Sequence, residues 1–535
     1  MMQSRFRLYA LGPAMGFALL PALLPALLAA LLAALLGSSC GDSSPRVGQV
    51  VESALTADQR LAACDKDPRV IAKLVSRDIC AGADIFFRET FNGNGRTCGT
   101  CHPAQNNFTI DAAFISTLPP SDPLFVFEQD PTNLGTLETP FLRGNGGVLE
   151  NVDGFEDLTN KFVVRSVPHL LSMATSIAPD TGDLTTNPPV QRTGWGGDGA
   201  PGDGSLRSFL TGAVIQHYPK TLARQAGVDF RLPTSQELDL TLAFQMNLGR
   251  LNELNIQQVN MFDASANEGR LAFIDPARGR CNECHANAGA NSLPSGNNRN
   301  FDTRTRMVNT FGSVPAVFDG GFGGKGLTQP NFDAVGAGFL NSFGNGTFNT
   351  PPLIESVDTM PSFHTNTFTN IEGVAGFYRN FPFSGSPADI DLTAKFGTPT
   401  SFSNDDANLI ARFLRGLNVA FNLDMAKQRL VAAQTLLNKF HDSGLAIQIG
   451  LVNLATAEID DALQVLTDQA TPQPFYPVSV DRLNTAKSEI AAVLAAPTFV
   501  QRQGPLSNAI SRVQNARDQI GANITFRLGT ANLMF

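Results

Sequence analysis

The sequence predicts a mainly α-helical protein, with two like domains that carry long loops and a helical extension behind them. Three observations predict this. A Cys-x-x-Cys-His unit occurs twice, as "CGTCH" at 98–102 and "CNECH" at 281–285. Each copy follows a helix-patterned stretch and precedes a long Gly/Pro/Asn-rich segment that ends in another such stretch. From about Asp424 onward glycine thins out and amphipathic segments take over.

Residues 1–39 read as an export signal: Arg5 and Arg7 precede the apolar run "PAMGFALLPALLPALLAALLAALL", and "GSSCGDSS" follows. The run is long enough to span a bilayer, so an uncleaved anchor is the alternative, against which Pro21 and Pro25 weigh. "LLGSSC" resembles a bacterial lipoprotein cleavage site with Cys40 lipidated, although Leu36 sits one place too far away and Gly37 takes the usual leucine position. The expected location is exported, either periplasmic or as an outer-membrane or cell-surface lipoprotein. Membrane attachment would be by lipid anchor or signal segment only. Residues 40–60 read as a tether.

The first domain spans 61–251. "AGADIFFRETFNGNGRTCGTCH" gives a helix, a Gly/Asn turn and the first unit, and "SQELDLTLAFQMNLGRL" closes it with a helix that Ser235 would cap. The second spans 252–423. It opens on "EGRLAFIDPARGRCNECH" and closes on "SNDDANLIARFLRGLNVAF", capped by Ser403 or Asn404. The plan repeats although the sequence does not. The extension, 424–535, contains "AKQRLVAAQTLLNKF", "AEIDDALQVLTDQA" and "DRLNTAKSEIAAVLAA" and no cofactor motif of its own.

A chain of 535 residues with 43% hydrophobic content can bury a large core. Its 39 phenylalanines against 4 tyrosines and 1 tryptophan favour dry, apolar interiors. The net charge of −9 comes without a basic stripe, which excludes nucleic acid as a partner.

Seven cysteines divide cleanly. Cys40 belongs to the signal junction, four belong to the two units, and Cys64 and Cys80 would pair as a disulfide in an oxidising compartment. Cys-x-x-Cys-His is the attachment site of c-type haem: the thiols add to the vinyl groups and the histidine reaches the iron. Random placement of 7 Cys and 6 His gives roughly a thousandth of one such motif. Zinc would need further ligands, and none flanks either unit. Two covalent haems are expected, on Cys98, Cys101 and His102 and on Cys281, Cys284 and His285, in domains of cytochrome c-like plan.

Residues 75–420 resemble the bacterial di-haem cytochrome c peroxidase and MauG family. The carrying segments are "VVRSVPHLLSMATS" with "GWGGDGAPGDGSLRSFLTGAVIQHYP" after the first unit, and "FNTPPLIESVDTMPSFHTNTFTNIEGVAGFY" after the second. The resemblance implies an oxidoreductase that meets peroxide or dioxygen at the first haem and passes electrons through the second. A redox partner protein or a small electron donor would supply them. His102 and His285 would be the proximal iron ligands. No histidine or methionine follows the first unit in "PAQNNFTIDAAFISTLPP", so an open first iron is expected.

The family's distal glutamate is missing. Phe209 stands near the glutamine slot and His217 near the glutamate slot, where it would either move protons or cap a loop. These departures resemble the rubber oxygenases, so a dioxygenase of an apolar substrate is one alternative, and a non-enzymatic electron carrier is another. Trp195 would be either an inter-haem relay or core. On the second iron, Tyr378 falls at the family's distal-ligand position, or else packs in a helix. His364 is the next candidate and Met360 the third. His169 and His441 are read as structural.

Overall fold

The computed structural model describes residues 55–150, 163–180, 190–193, 204–293, 295–308, 318–319, 342–343 and 346–535. The signal, Cys40 and Trp195 lie outside them. The protein is mainly helical, 54% helix against 6% strand. Among the described residues no helix is long and apolar enough to cross a membrane.

The first half opens with α1 (Ala57–Cys64) and α2 (Arg77–Arg88), joined by the expected Cys64–Cys80 disulfide. A single turn, α3 (Cys98–Cys101), carries the first cysteine pair. β1 (Gly147–Glu150) and β2 (Val163–Ser166) form an antiparallel ribbon, with Gly147 opposite Ser166 and Glu150 opposite Val163. α4 (Leu206–His217) follows, and α5 (Ser235–Gln245) closes the half by packing across α2. The cap of α5 is Thr234 rather than Ser235. Its hydroxyl accepts from the Glu237 amide at 3.2 Å while the Glu237 carboxylate accepts from the Thr234 amide at 2.8 Å. That reciprocal pair holds two free helix-start donors, where Ser235 would hold one.

The second half repeats the arrangement. α6 (Ala264–Ile274) leads to the second unit, α7 (Ile371–Phe377) and α8 (Pro387–Phe396) follow, and α9 (Asn404–Phe440) crosses α6. Ser403 caps α9 in a capping box with Asp406. α9 runs unbroken through position 423, so the extension begins inside it. From Ile410 to Leu423 every residue of α9 is buried, including Arg412, Arg415, Asn418 and Asn422, whose polar groups are met by Asp263, Glu372 and Asp358. α6, α7, α10 (Leu445–Thr467) and α12 (Phe499–Arg517) surround it, and α11 (Pro477–Ala495) packs on α12. α12 is a helix the sequence reading left unassigned. Its Pro505 and weak apolar periodicity hide it.

The two crossings are built alike. A Cβ on Gly82 would collide with the Leu240 carbonyl, and one on Gly269 with the Leu409 carbonyl. One turn after each glycine comes a phenylalanine that meets another one turn after each leucine. Phe86 and Phe244 are 5.1 Å apart, Phe273 and Phe413 5.7 Å, and all four are buried. One hydrophobic cluster takes in both crossings and the extension, from Ala57 to Met534.

Candidate cofactor sites

At the first site, the turn after α2 places Phe91 and Asn92 at φ 50° and 53° and brings Arg96 inward. The buried Arg96 guanidinium pairs with Glu138 and donates to the Leu124 carbonyl at 2.6 Å, which anchors the entry to α3. His102 Nδ1 lies 2.8 Å from the Phe108 carbonyl oxygen, and the Pro168 carbonyl is a second acceptor for the ring. A carbonyl only accepts, so Nδ1 carries the proton and Nε2 keeps its lone pair. Burial lowers the imidazole to about 4, against the opposing pull of those carbonyls. Burial raises the Cys98 and Cys101 thiols to about 11. The Tyr218 hydroxyl, itself buried, donates to Cys98 Sγ at 3.1 Å.

The second site follows the same scheme. His285 Nδ1 lies 3.0 Å from the Pro351 carbonyl and 3.3 Å from that of Gly289, which again leaves Nε2 as the lone-pair nitrogen. Burial lowers His285 to about 4 and raises both thiols to about 12. The same 66-residue spacing separates His102 from Pro168 and His285 from Pro351. Cys281, Cys284 and His285 line a mostly apolar cavity of about 210 Å³, with His364 and Tyr378 among its walls.

The sites hold these groups differently from ordinary metal centres. Among the described residues no three His, Cys, Asp or Glu side chains converge to hold an ion, as a closed zinc site requires. Thiols pushed up by burial are poor nucleophiles for disulfide exchange. Two half-buried thiols and one imidazole nitrogen, with its tautomer held from behind, are the donor set that a covalently attached haem takes.

Tyr378 follows α7 directly, and burial together with the neighbouring Cys284 and Cys281 raises its phenol. The His364 ring lies 4.3 Å from Phe348. Met360 is not a wall of the cavity, and its sulfur accepts from the Ser362 hydroxyl at 3.0 Å.

His217 ends α4 with Nε2 3.7 Å from Glu150 at the end of β1. Its pKa falls to about 3, through burial first and then Arg96, Arg224 and His102; the carboxylate at 3.7 Å does not outweigh them. It is therefore a neutral imidazole at pH 7, well below the near-neutral titration expected of a free histidine. Phe209, two turns earlier on α4, packs against the main hydrophobic cluster. His441 stacks on Phe499 at 4.2 Å.

Five contributors were not legible as such in the sequence: Glu150, Tyr218, His169, Pro168 and Pro351. Only the prolines left a signal, their equal spacing from the two histidines. His169 is buried and is a wall of the second-site cavity, and burial, Arg250 and His102 lower it to about 3. No family model, no curated protein and no solved structure matches the chain.

Proposed function

We propose that the chain is an exported di-haem c-type oxidoreductase that reacts with peroxide or dioxygen at its first site and receives electrons through its second. The observation that carries this reading is the repeated histidine clamp. Each Cys-x-x-Cys-His unit has Nδ1 engaged by a local carbonyl, and its ring also meets a proline carbonyl 66 residues on. Such support behind a ring orients Nε2 and raises its basicity as a ligand. The paired helix crossings support two cytochrome c-like domains. The Cys64–Cys80 disulfide supports an oxidising, exported setting.

Bound haem would supply the redox chemistry, and the chain supplies attachment, orientation and proton handling. Cys98 and Cys101, and Cys281 and Cys284, would become thioethers. His102 and His285 would present Nε2 to the irons. Tyr378 is the first choice for the other side of the second iron, with His364 next. Near the first site, His217 is a neutral imidazole able to take a proton, and Glu150 would stabilise the cation formed. Its Nε2 faces that carboxylate, which favours an open first iron over the electron-carrier reading.

Intact mass should exceed the bare polypeptide by two haems, and EPR of the oxidised protein should count one high-spin and one low-spin iron. A bare-polypeptide mass overturns the proposal. Two low-spin, cyanide-inert haems would leave an electron carrier. Consumption of dioxygen with an apolar substrate and no peroxide would mark the dioxygenase.

A further inference from the structure

Pro168 and His169 are neighbours in the chain but serve different sites. The Pro168 carbonyl is an acceptor for His102 at the first site. The His169 side chain walls the second-site cavity along with Cys281, Cys284 and His285. The segment that carries them is stitched to both sides. Thr109, next to the Phe108 that holds His102, donates its hydroxyl to the Val167 carbonyl at 2.5 Å. Ser166 donates its amide to the His364 carbonyl at 2.8 Å and its hydroxyl to the Phe363 carbonyl at 3.0 Å. Beyond His169, the Ser172 hydroxyl donates to Glu355 at 2.5 Å, and Glu355 also takes the buried Arg250 at 2.8 Å. The segment is thus fixed at three points along its length.

The equivalent loop of the second half is instructive. "SVPHLLS" at 166–172 matches "NTPPLIE" at 349–355 position for position, with Pro168 facing Pro351 in role. Where the second loop has Pro352, the first has His169. The loop thus carries a π-system at the point where it reaches the other site, and its counterpart does not.

We propose that His169 is the bridging group through which electrons pass between the two cofactors, a role that rests on the di-haem reading above. One electron leaves the second-site iron, oxidising it from ferrous to ferric, and enters the first-site iron, reducing it from ferric to ferrous. No bond forms or breaks, and no proton moves. The path runs from the cavity wall across the imidazole and along the Pro168 backbone to His102.

The test delivers one electron to fully ferric protein by flash photolysis of a ruthenium dye with a sacrificial amine donor. Equilibration between the irons is then followed in the Soret region. His169→Leu should slow that phase by roughly tenfold or more while both haems, their EPR signals and their spin states stay as in the parent. If His169→Leu does not load both haems, His169→Gln takes its place. An unchanged rate in a fully loaded variant overturns the proposal, as does a slow Trp195→Phe beside a normal His169→Leu. Absence of two covalent haems from the parent protein would instead sink the di-haem reading itself.

Discussion

At each site the imidazole Nδ1 is turned toward carbonyl oxygens, and the residue that follows the clamp proline differs: His169 in one half, Pro352 in the other. The side chains near the two units separate the proposed functions. Tyr378→Phe removes the phenol oxygen beside Cys281 and Cys284, and it should shift the low-spin EPR signal of the second iron without touching the first. If the signal stays put and His364→Ala moves it, His364 is the ligand. His217→Ala should slow reaction with peroxide by roughly 10²–10⁴, the usual size of acid–base assistance. The pH dependence separates that role from a freely titrating histidine. A base lowered to about 3 stays neutral as pH rises and is lost only when pH falls through about 3. The rate should therefore show no inflection near the ordinary histidine value of about 6.5. A pH–rate profile with such an inflection, absent in His217→Ala, would show that the site holds His217 much less dry than this.

Helix crossings are the element on which both sites hang. Each cysteine pair lies a short way beyond a helix whose glycine is pressed on a closing helix. Gly82→Ala and Gly269→Ala should each cost about 1–3 kcal/mol or more, because the obstruction is backbone and cannot swing aside. Gly450, inside α10, has open space where its Cβ would go. There the same substitution should stabilise by up to about 1 kcal/mol through helix propensity alone. Chemical denaturation of the three variants checks the contrast, and equal effects would remove the crossing as the explanation. The disulfide joins α1 to α2 across a separation of 16 residues. Replacing both cysteines with alanine should cost about 3 kcal/mol, read from the same denaturation curves.

On the scale of the whole molecule, a buried polar junction ties the two halves to the extension. Asn107, beside the Phe108 that holds His102, donates to Asp461 of α10 at 3.1 Å. Asp358 of the second half accepts from Asn418 at 2.9 Å and Asn422 at 2.8 Å on α9, and Glu458 of α10 takes Arg429 at 2.6 Å. Burial, with the Glu458 charge second, pushes Asp358 up to about 7. A carboxyl raised in the fold contributes its stability while protonated, in full below the ordinary value of 3.8, and loses it as pH rises through about 7. Asp358→Asn should therefore stabilise the protein at about pH 8, by roughly 1 kcal/mol or more, and much less at about pH 5. The new amide nitrogen replaces an oxygen that accepts from an asparagine Nδ2, so Asn418 or Asn422 must turn its amide to present Oδ1, an atom with no hydrogen-bond partner among the described residues. Thermal unfolding at the two pH values decides it: a gain that does not grow with pH means Asp358 is not strained by ionisation.

The motif pairs, the helices that flank them, the Cys64–Cys80 pairing and a cap at Ser403 or Asn404 were legible along the chain, because each depends on residues near in sequence or on a count that closes; the structure settles the cap on Ser403. The Gly82 and Gly269 contacts were not. A glycine signals freedom or closeness, and only the crossing helix says which. Tyr378 could be placed beside the second cysteine pair from its segment, whereas His169 was read as structural because nothing adjacent to it in sequence involves either unit. Glu150 likewise reaches His217 only through the β1–β2 ribbon. Local chemistry — thiol spacing, helix periodicity, caps — is written in consecutive residues and survives being read one segment at a time. The tautomers of His102 and His285, the depressed His217 and the wall that His169 makes in the second cavity depend on burial and on carbonyls brought from 66 residues away. Desolvation and distant hydrogen bonds exist only once the chain has closed on itself.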